Sequence, residues 1–199
     1  MARLSREESK KRTRELLIAA AKSEFALVGY GSTSADIIAE KAGFSKGAFY
    51  THFETKEDIF LELLKIHMDN ESQVFAKLFK TMHEPSSILN GINQWFITMQ
   101  NDAEWQLLSV ELNLHAKRHS DFAKKFYKLQ DEHQKALSQF VEMFFKLAEH
   151  KPIIHVDLIT YFIMSMSLGG AILKHPNHKG KIGGQGVVVF LKGLLSLKS

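Results

Sequence analysis

The stretch Thr33–Lys56, TSADIIAEKAGFSKGAFYTHFETK, decides how the whole chain is read. Thr33 or Ser34 can cap a short helix whose apolar side is Ile37, Ile38 and Ala39. Ala42-Gly43-Phe44-Ser45 then reads as a tight turn, because Gly43 can take positive φ and Ser45 can cap a second helix. This second helix is very short and ends in Phe49, Tyr50 and Phe53, and Thr55 is placed to cap a third helix opening at Lys56. Two helices joined by a short Gly-containing turn form the pattern of a DNA-reading helix-turn-helix.

Working outward, the 199 residues allow one or two domains, and an apolar share of 45% is enough to bury a core without staples. Cysteine is absent, which excludes a disulfide framework, thiolate metal sites and a cysteine nucleophile. No proline precedes Glu84, so long uninterrupted helices are expected. The first 24 residues carry charge throughout and contain no apolar leader core. The longest uncharged run, Leu158–Leu173, is shorter than the roughly 18 residues of a membrane span, and it reads as a buried helix. The expectation is a cytoplasmic protein with no membrane partner. Charge is uneven: residues 1–56 carry ten Lys+Arg against seven Asp+Glu, whereas the remainder is nearly balanced at 16 against 15. A basic N-terminal segment beside a helix-turn-helix suits phosphate binding.

Helical periodicity continues on both sides. Leu16, Leu17, Ala20, Ala21 and Phe25 predict a first helix from about Ser5 to Val28, stopped by Gly29. After Lys56 the apolar spacing predicts a long helix to about Met82. Further helices are expected over about 87–100, 103–118, 120–150, 156–174 and 186–197. The segment Lys174–Gln185 reads as a flexible loop. No strand alternation or internal repeat is present, so the predicted fold is all-α with about nine helices. It divides into residues 1–56, a helix-turn-helix domain, and 57–199, a ligand-binding and dimerisation domain.

The N-terminal third resembles the tetracycline-repressor-like (TetR) family of bacterial transcriptional regulators. The resemblance is carried by Ala19-Ala20, Phe25, Gly29-Tyr30, Thr33-Ser34, Ile38-Ala39, the string Ala42-Gly-Phe-Ser-Lys-Gly-Ala-Phe-Tyr50, His52-Phe53 and Lys56. It covers about fifty residues, and beyond residue 60 it lies only in the number and order of helices. It implies a homodimer that binds a palindromic operator on double-stranded DNA and holds a pocket for a small-molecule effector, and it says nothing of the pocket's occupant; the expectation drawn here is a repressor released by a small apolar or amphipathic effector. The residues it implicates in DNA binding are Ser34, Ser45, Lys46, Gly47, Ala48, Tyr50, Thr51, His52 and Lys56. Chemistry supports these roles. Gly47 and Ala48 allow close backbone approach to bases, and Lys46 can reach a guanine edge. Tyr50 and His52 can donate to phosphates, and Lys56 sits at a helix N-terminus. Phe44, Phe49 and Phe53 read as core. The family pattern fails at Ile37, where an acid is usual; Asp36 is expected to cap with Thr33 instead. Asp36 also stands where some relatives place a base-reading arginine, so it is given no DNA contact, although it can accept from cytosine N4 or discriminate against wrong sites.

In the second part, aromatic and methionine side chains suit either plain core or an apolar cavity between helices. The expected cavity walls are Trp95, Met99, Trp105, Leu108 and Phe126, with Glu111 as a polar wall residue and Asn113, His115 and Gln130 nearby. The last two helices are expected to pair with a second copy through Phe162, Met166, Gly169, Gly170, Val187, Phe190, Leu191 and Leu194. His115 and His119 lie one turn apart without a third ligand at a telling spacing, so no metal or other cofactor is expected. The rival reading is a helical small-molecule-binding protein or enzyme without a DNA role. No nucleophile–base pair, paired carboxylates or phosphate-cradling glycine loop supports an enzyme.

Overall fold

The computed structural model describes residues 5–173 and 182–196. These form an all-α structure of nine helices: α1 Arg6–Val28, α2 Ala35–Lys41, α3 Lys46–His52, α4 Lys56–Thr81, α5 Pro85–Asn101, α6 Ala103–Arg118, α7 Ser120–Leu147, α8 Val156–Leu173 and α9 Ile182–Ser196. The boundaries come from capping chemistry. Ser5 and Glu8 close a reciprocal capping box at α1, as Thr55 and Asp58 do at α4. Asp102 caps α6 by accepting from the Trp105 amide. Gly29 and Gly43 take positive φ, +86° and +79°, where the chain leaves α1 and α2. Most of the expected Lys174–Gln185 loop, with His175 and His178, lies outside the described residues; α9 begins at Ile182, four residues earlier than its apolar spacing suggested.

Two apolar cores hold the helices together. The first joins Leu17, Phe25, Ile38, Phe49, Ile59 and Phe60 to Leu108, Leu112, Phe122 and Phe126, so it continues across residue 56 from the N-terminal helices into α6 and α7. The second packs Ile88, Leu89 and Phe96 of α5 and Phe144 and Phe145 of α7 against Ile159, Val187, Leu191 and Leu194.

Two expectations about the last helices need correcting. Val187, Leu191 and Leu194 are 1%, 2% and 6% exposed and face α5, so they belong to the interior of one chain rather than to a surface between two. Conversely, α8 is not a buried helix. Only Ile159 and Thr160 are buried, while Leu158, Tyr161, Phe162, Ile172 and Leu173 are exposed in a stripe at helical spacing. The run is mostly apolar, with Ser165 and Ser167 also exposed, and within one chain its covering comes mainly from α7, α6 and α9. By length and composition α8 could also span a membrane.

Candidate nucleic-acid interface and ligand cavity

The candidate reading surface is built from α2 and α3. Ser34 Oγ accepts from the Ile37 amide at 3.2 Å and Ser45 Oγ from the Ala48 amide at 3.4 Å, which starts each short helix. Between them the Gly43 amide donates to Glu40 O and the Phe44 amide to Ala39 O, closing α2 through the left-handed glycine. Thr33 does not cap α2 with Asp36, as the sequence suggested. Its Oγ1 donates to Gly29 O at 2.9 Å, and Asp36 instead accepts from Lys46 Nζ at 2.9 Å. The apolar sides of both helices point inward through Ile38, Ala39 and Phe49. This leaves Ser34, Asp36, Ser45, Lys46, Gly47, Tyr50 and Thr51 exposed on the outside, with Ala48 and His52 half-buried beside them. A side chain at Gly47 would meet only Ser45 Oγ, at 3.8 Å, so the backbone there is open to close approach. Burial, then the charges of Lys10 and Arg14, hold the His52 imidazole below its usual pKa, and its Nδ1 is buried without a partner. Those two cations mark where α1 borders the reading surface.

Lys56 is placed differently from the phosphate ligand expected. Its Nζ donates to Tyr30 O at 2.6 Å and Thr33 O at 2.7 Å and lies 4.0 Å from the centre of the Tyr30 ring. Burial lowers its pKa. The ammonium therefore closes the joint between the α1–α2 connector and α4.

Glu111 is likewise displaced from its expected role. It does not line the cavity; its Oε2 accepts from the Tyr30 amide at 2.6 Å, tying α6 to the connector. His115 Nε2 lies 2.8 Å from Glu57 Oε1, and Lys22 Nζ donates to Asp102 Oδ2 at 3.0 Å. Tyr30 stacks on Phe60 with ring centres 4.4 Å apart and meets His115 at the same distance, and Phe60 and His115 also contact each other edge-on. The His115 and His119 rings are 4.0 Å apart. Among the described residues, no group of three or more potential ligand side chains could hold a metal ion.

Between α4, α5, α6, α7 and α8 lies a cavity of about 540 Å³. Met99, Trp105 and Phe126 line it as expected, together with Phe75, Phe79, Phe96, Phe140 and Phe144. Trp95 and Leu108 line an adjoining open recess that shares His67, Met99 and Trp105 with the cavity. Along α4 the lining runs from Leu64 to Phe79, about 22 Å at about 1.5 Å per residue, so the space is elongated. The polar groups that composition did not reveal sit one turn apart on α4. Glu71 Oε2 lies 2.8 Å from His133 Nε2, and Glu71 Oε1 accepts from Trp95 Nε1 at 2.9 Å. Burial pushes the Glu71 carboxyl up, but the hydrogen bond and charge of His133 outweigh it and the net shift is downward. His67 stacks on Trp105 at 3.6 Å, and burial lowers its pKa to about 4, so it stays neutral near pH 7. Lys117, Gln130 and Gln134 add polar groups on α6 and α7.

Residues 17–63 match the family of bacterial regulatory proteins called the tetR family. This N-terminal segment belongs to that family. It is 34% identical over 110 residues to the transcriptional activator FasR of Mycolicibacterium smegmatis, covering 55% of this chain and 48% of that one. It spans about half the length of the curated relatives it matches, which are transcriptional regulators and not enzymes. The fold extends further than the sequence likeness. A TetR-family regulator from Mesorhizobium loti superposes with a TM-score of 0.74 at 19% identity, over 97% of this chain and 98% of that one. FadR of Bacillus subtilis, solved in complex with stearoyl-CoA, superposes with a TM-score of 0.73 at 21% identity, over 89% and 96%.

Proposed function

We propose that this TetR-family chain is a cytoplasmic, ligand-responsive repressor. It binds a palindromic operator as a homodimer and releases it when an effector enters the helical cavity. The observation that carries this reading is the double role of α6. One side of that helix lines the cavity through Trp105, Leu112 and Asn113, while Glu111 and His115 bond it to the connector and to α4 beside the reading surface. An occupant that moves α6 must strain those bonds, which gives two sites and one shared element. Ser34, Ser45, Lys46, Gly47, Ala48, Tyr50, Thr51 and His52 form the operator-facing group. Residues 1–56 supply the reading part and 57–199 the sensing part, with Lys56 closing the joint between them.

The effector is an elongated, largely apolar molecule with a polar end. The shape and lining of the cavity support this, and the stearoyl-CoA complex of FadR shows the same architecture accepting such a ligand. Pairing of two copies covers the exposed stripe Leu158, Tyr161, Phe162, Ile172 and Leu173. Gly169 and Gly170 lie in open space on the same helix, and Phe190 meets Phe162 at 6.0 Å from α9.

The test is selection of bound duplexes from a random pool by the purified chain at about 150 mM salt, where unspecific phosphate binding is weak. A palindromic consensus, bound by two chains and released by long-chain acyl compounds, is expected. Equal retention of all sequences would overturn the DNA-binding reading.

A further inference from the structure

Among the described residues, the reading surface carries an exposed ion pair that joins its two helices, Asp36–Lys46. Lys46 Nζ and Asp36 Oδ2 are 2.9 Å apart, and the two side chains are 60% and 56% exposed. The pair joins the first turn of α2 to the first turn of α3 and is flanked by Ser45, Gly47 and Ala48. An ion pair this exposed adds little to stability in water, so folding does not account for it. A carboxylate on a surface turned towards phosphates also weakens binding to any duplex. Its presence there needs a compensating contact.

We propose that the Asp36–Lys46 pair reads one G·C base pair in each half-site, with Lys46 on the guanine O6/N7 edge and Asp36 on the cytosine N4 amino group. This rests on the DNA-binding reading above. The match is one of order and spacing. The protein presents a donor beside an acceptor, 2.9 Å apart. In the major groove, guanine O6 and cytosine N4 are hydrogen-bonded to each other, so they too lie about 2.9 Å apart, and each keeps one site free towards the groove. Lys46, with protons to spare beyond the one given to Asp36, meets both guanine acceptors, N7 and O6. Asp36, which only accepts, meets the one donor. Over an A·T pair the same arrangement fails at both ends. Asp36 over adenine N6 also faces the N7 lone pair, and Lys46 over thymine O4 abuts the methyl group. The carboxylate therefore weakens every site a little and wrong sites much more.

The experiment repeats the duplex selection with the full chain carrying Asp36→Ala, Asp36→Asn or Lys46→Met, each checked for native helicity. The unaltered chain should require G·C at one position per half-site. Asp36→Ala and Lys46→Met should both relax that position and no other, with a loss of discrimination of roughly 5- to 150-fold. Asp36→Ala should also bind random DNA more tightly. Asp36→Asn adds a donor suited to adenine N7, so it should admit A·T at the same position. The proposal is overturned if Asp36→Ala weakens all sequences alike, as loss of a mere tether between α2 and α3 would. It is also overturned if the two residues alter different positions or Asp36 alters none. Absence of any preference in the unaltered chain instead overturns the DNA-binding reading itself.

Discussion

Lys56 shows how far residue type carries and where it stops. A lysine at the first position of a helix beside a DNA-reading motif invites a phosphate contact, and nothing near it in sequence argues otherwise. The structure spends the ammonium on Tyr30 O and Thr33 O, carbonyls 26 and 23 residues upstream. Nothing in local spacing encodes such a pairing, any more than it encodes the bond from Tyr30 N to Glu111, 81 residues away. The caps could be read because their partners lie three residues off: Ser34 with Ile37, Ser45 with Ala48, Thr55 with Asp58. The expected outcome for Lys56→Met is clear. Two part-buried carbonyls lose their donor, and stability should fall by about 1–3 kcal/mol in urea unfolding. The salt slope of DNA binding should stay unchanged, whereas loss of a phosphate contact would lower it by about one.

At the scale of elements, α4 links two kinds of surface. Its start lies under the reading helices, and its inward side carries His67 and Glu71 into the cavity facing His133 of α7. The helix itself was legible from Ile59, Phe60, Leu63 and Leu64, but the polar pair was not, because a charged residue in an apolar period reads as solvated until its partner on another helix is known. This packing makes stability depend on pH. His67 has a folded pKa of about 4 against an ordinary 6.5. Between these values the unfolded chain takes up a proton that the folded chain refuses, so stability falls as pH drops from about 6.5 to about 4. Glu71, lowered below its ordinary 4.5, adds a further loss as pH falls below that value and through its folded pKa. His67→Phe keeps the stacking on Trp105 and removes the first effect. Denaturant unfolding at several pH values should show the variant losing up to about 3 kcal/mol less than the parent across that window. Equal slopes would mean that His67 titrates normally.

For the whole molecule, the all-α architecture and the N-terminal motif could be read from periodicity, glycines and caps. The division of apolar residues between interior and exterior could not. Along α9, Val187, Leu191 and Leu194 look as suitable for a partner as Phe162 of α8, and only the position of α5 turns them inward. Two substitutions separate the cases. Leu191→Ala should cost about 2–4 kcal/mol of stability through a cavity in the second core. Phe162→Asp should leave the fold intact and shift the protein to monomers in sedimentation; a dimer that persists would place the contact elsewhere.

The joint at Lys56 has a mechanical meaning. Because Tyr30, Thr33 and Lys56 are tied together, the proposed mechanism would move α4 and the reading helices as one stiff arm. That arm is 26 residues long, about 39 Å. A tilt of about 5° at its far end swings the near end by about 3 Å, close to the roughly 3.4 Å step between successive bases. On the proposed reading, small swelling around a ligand would thus be geared up to one base-pair step, enough to put a reading helix out of register with its groove.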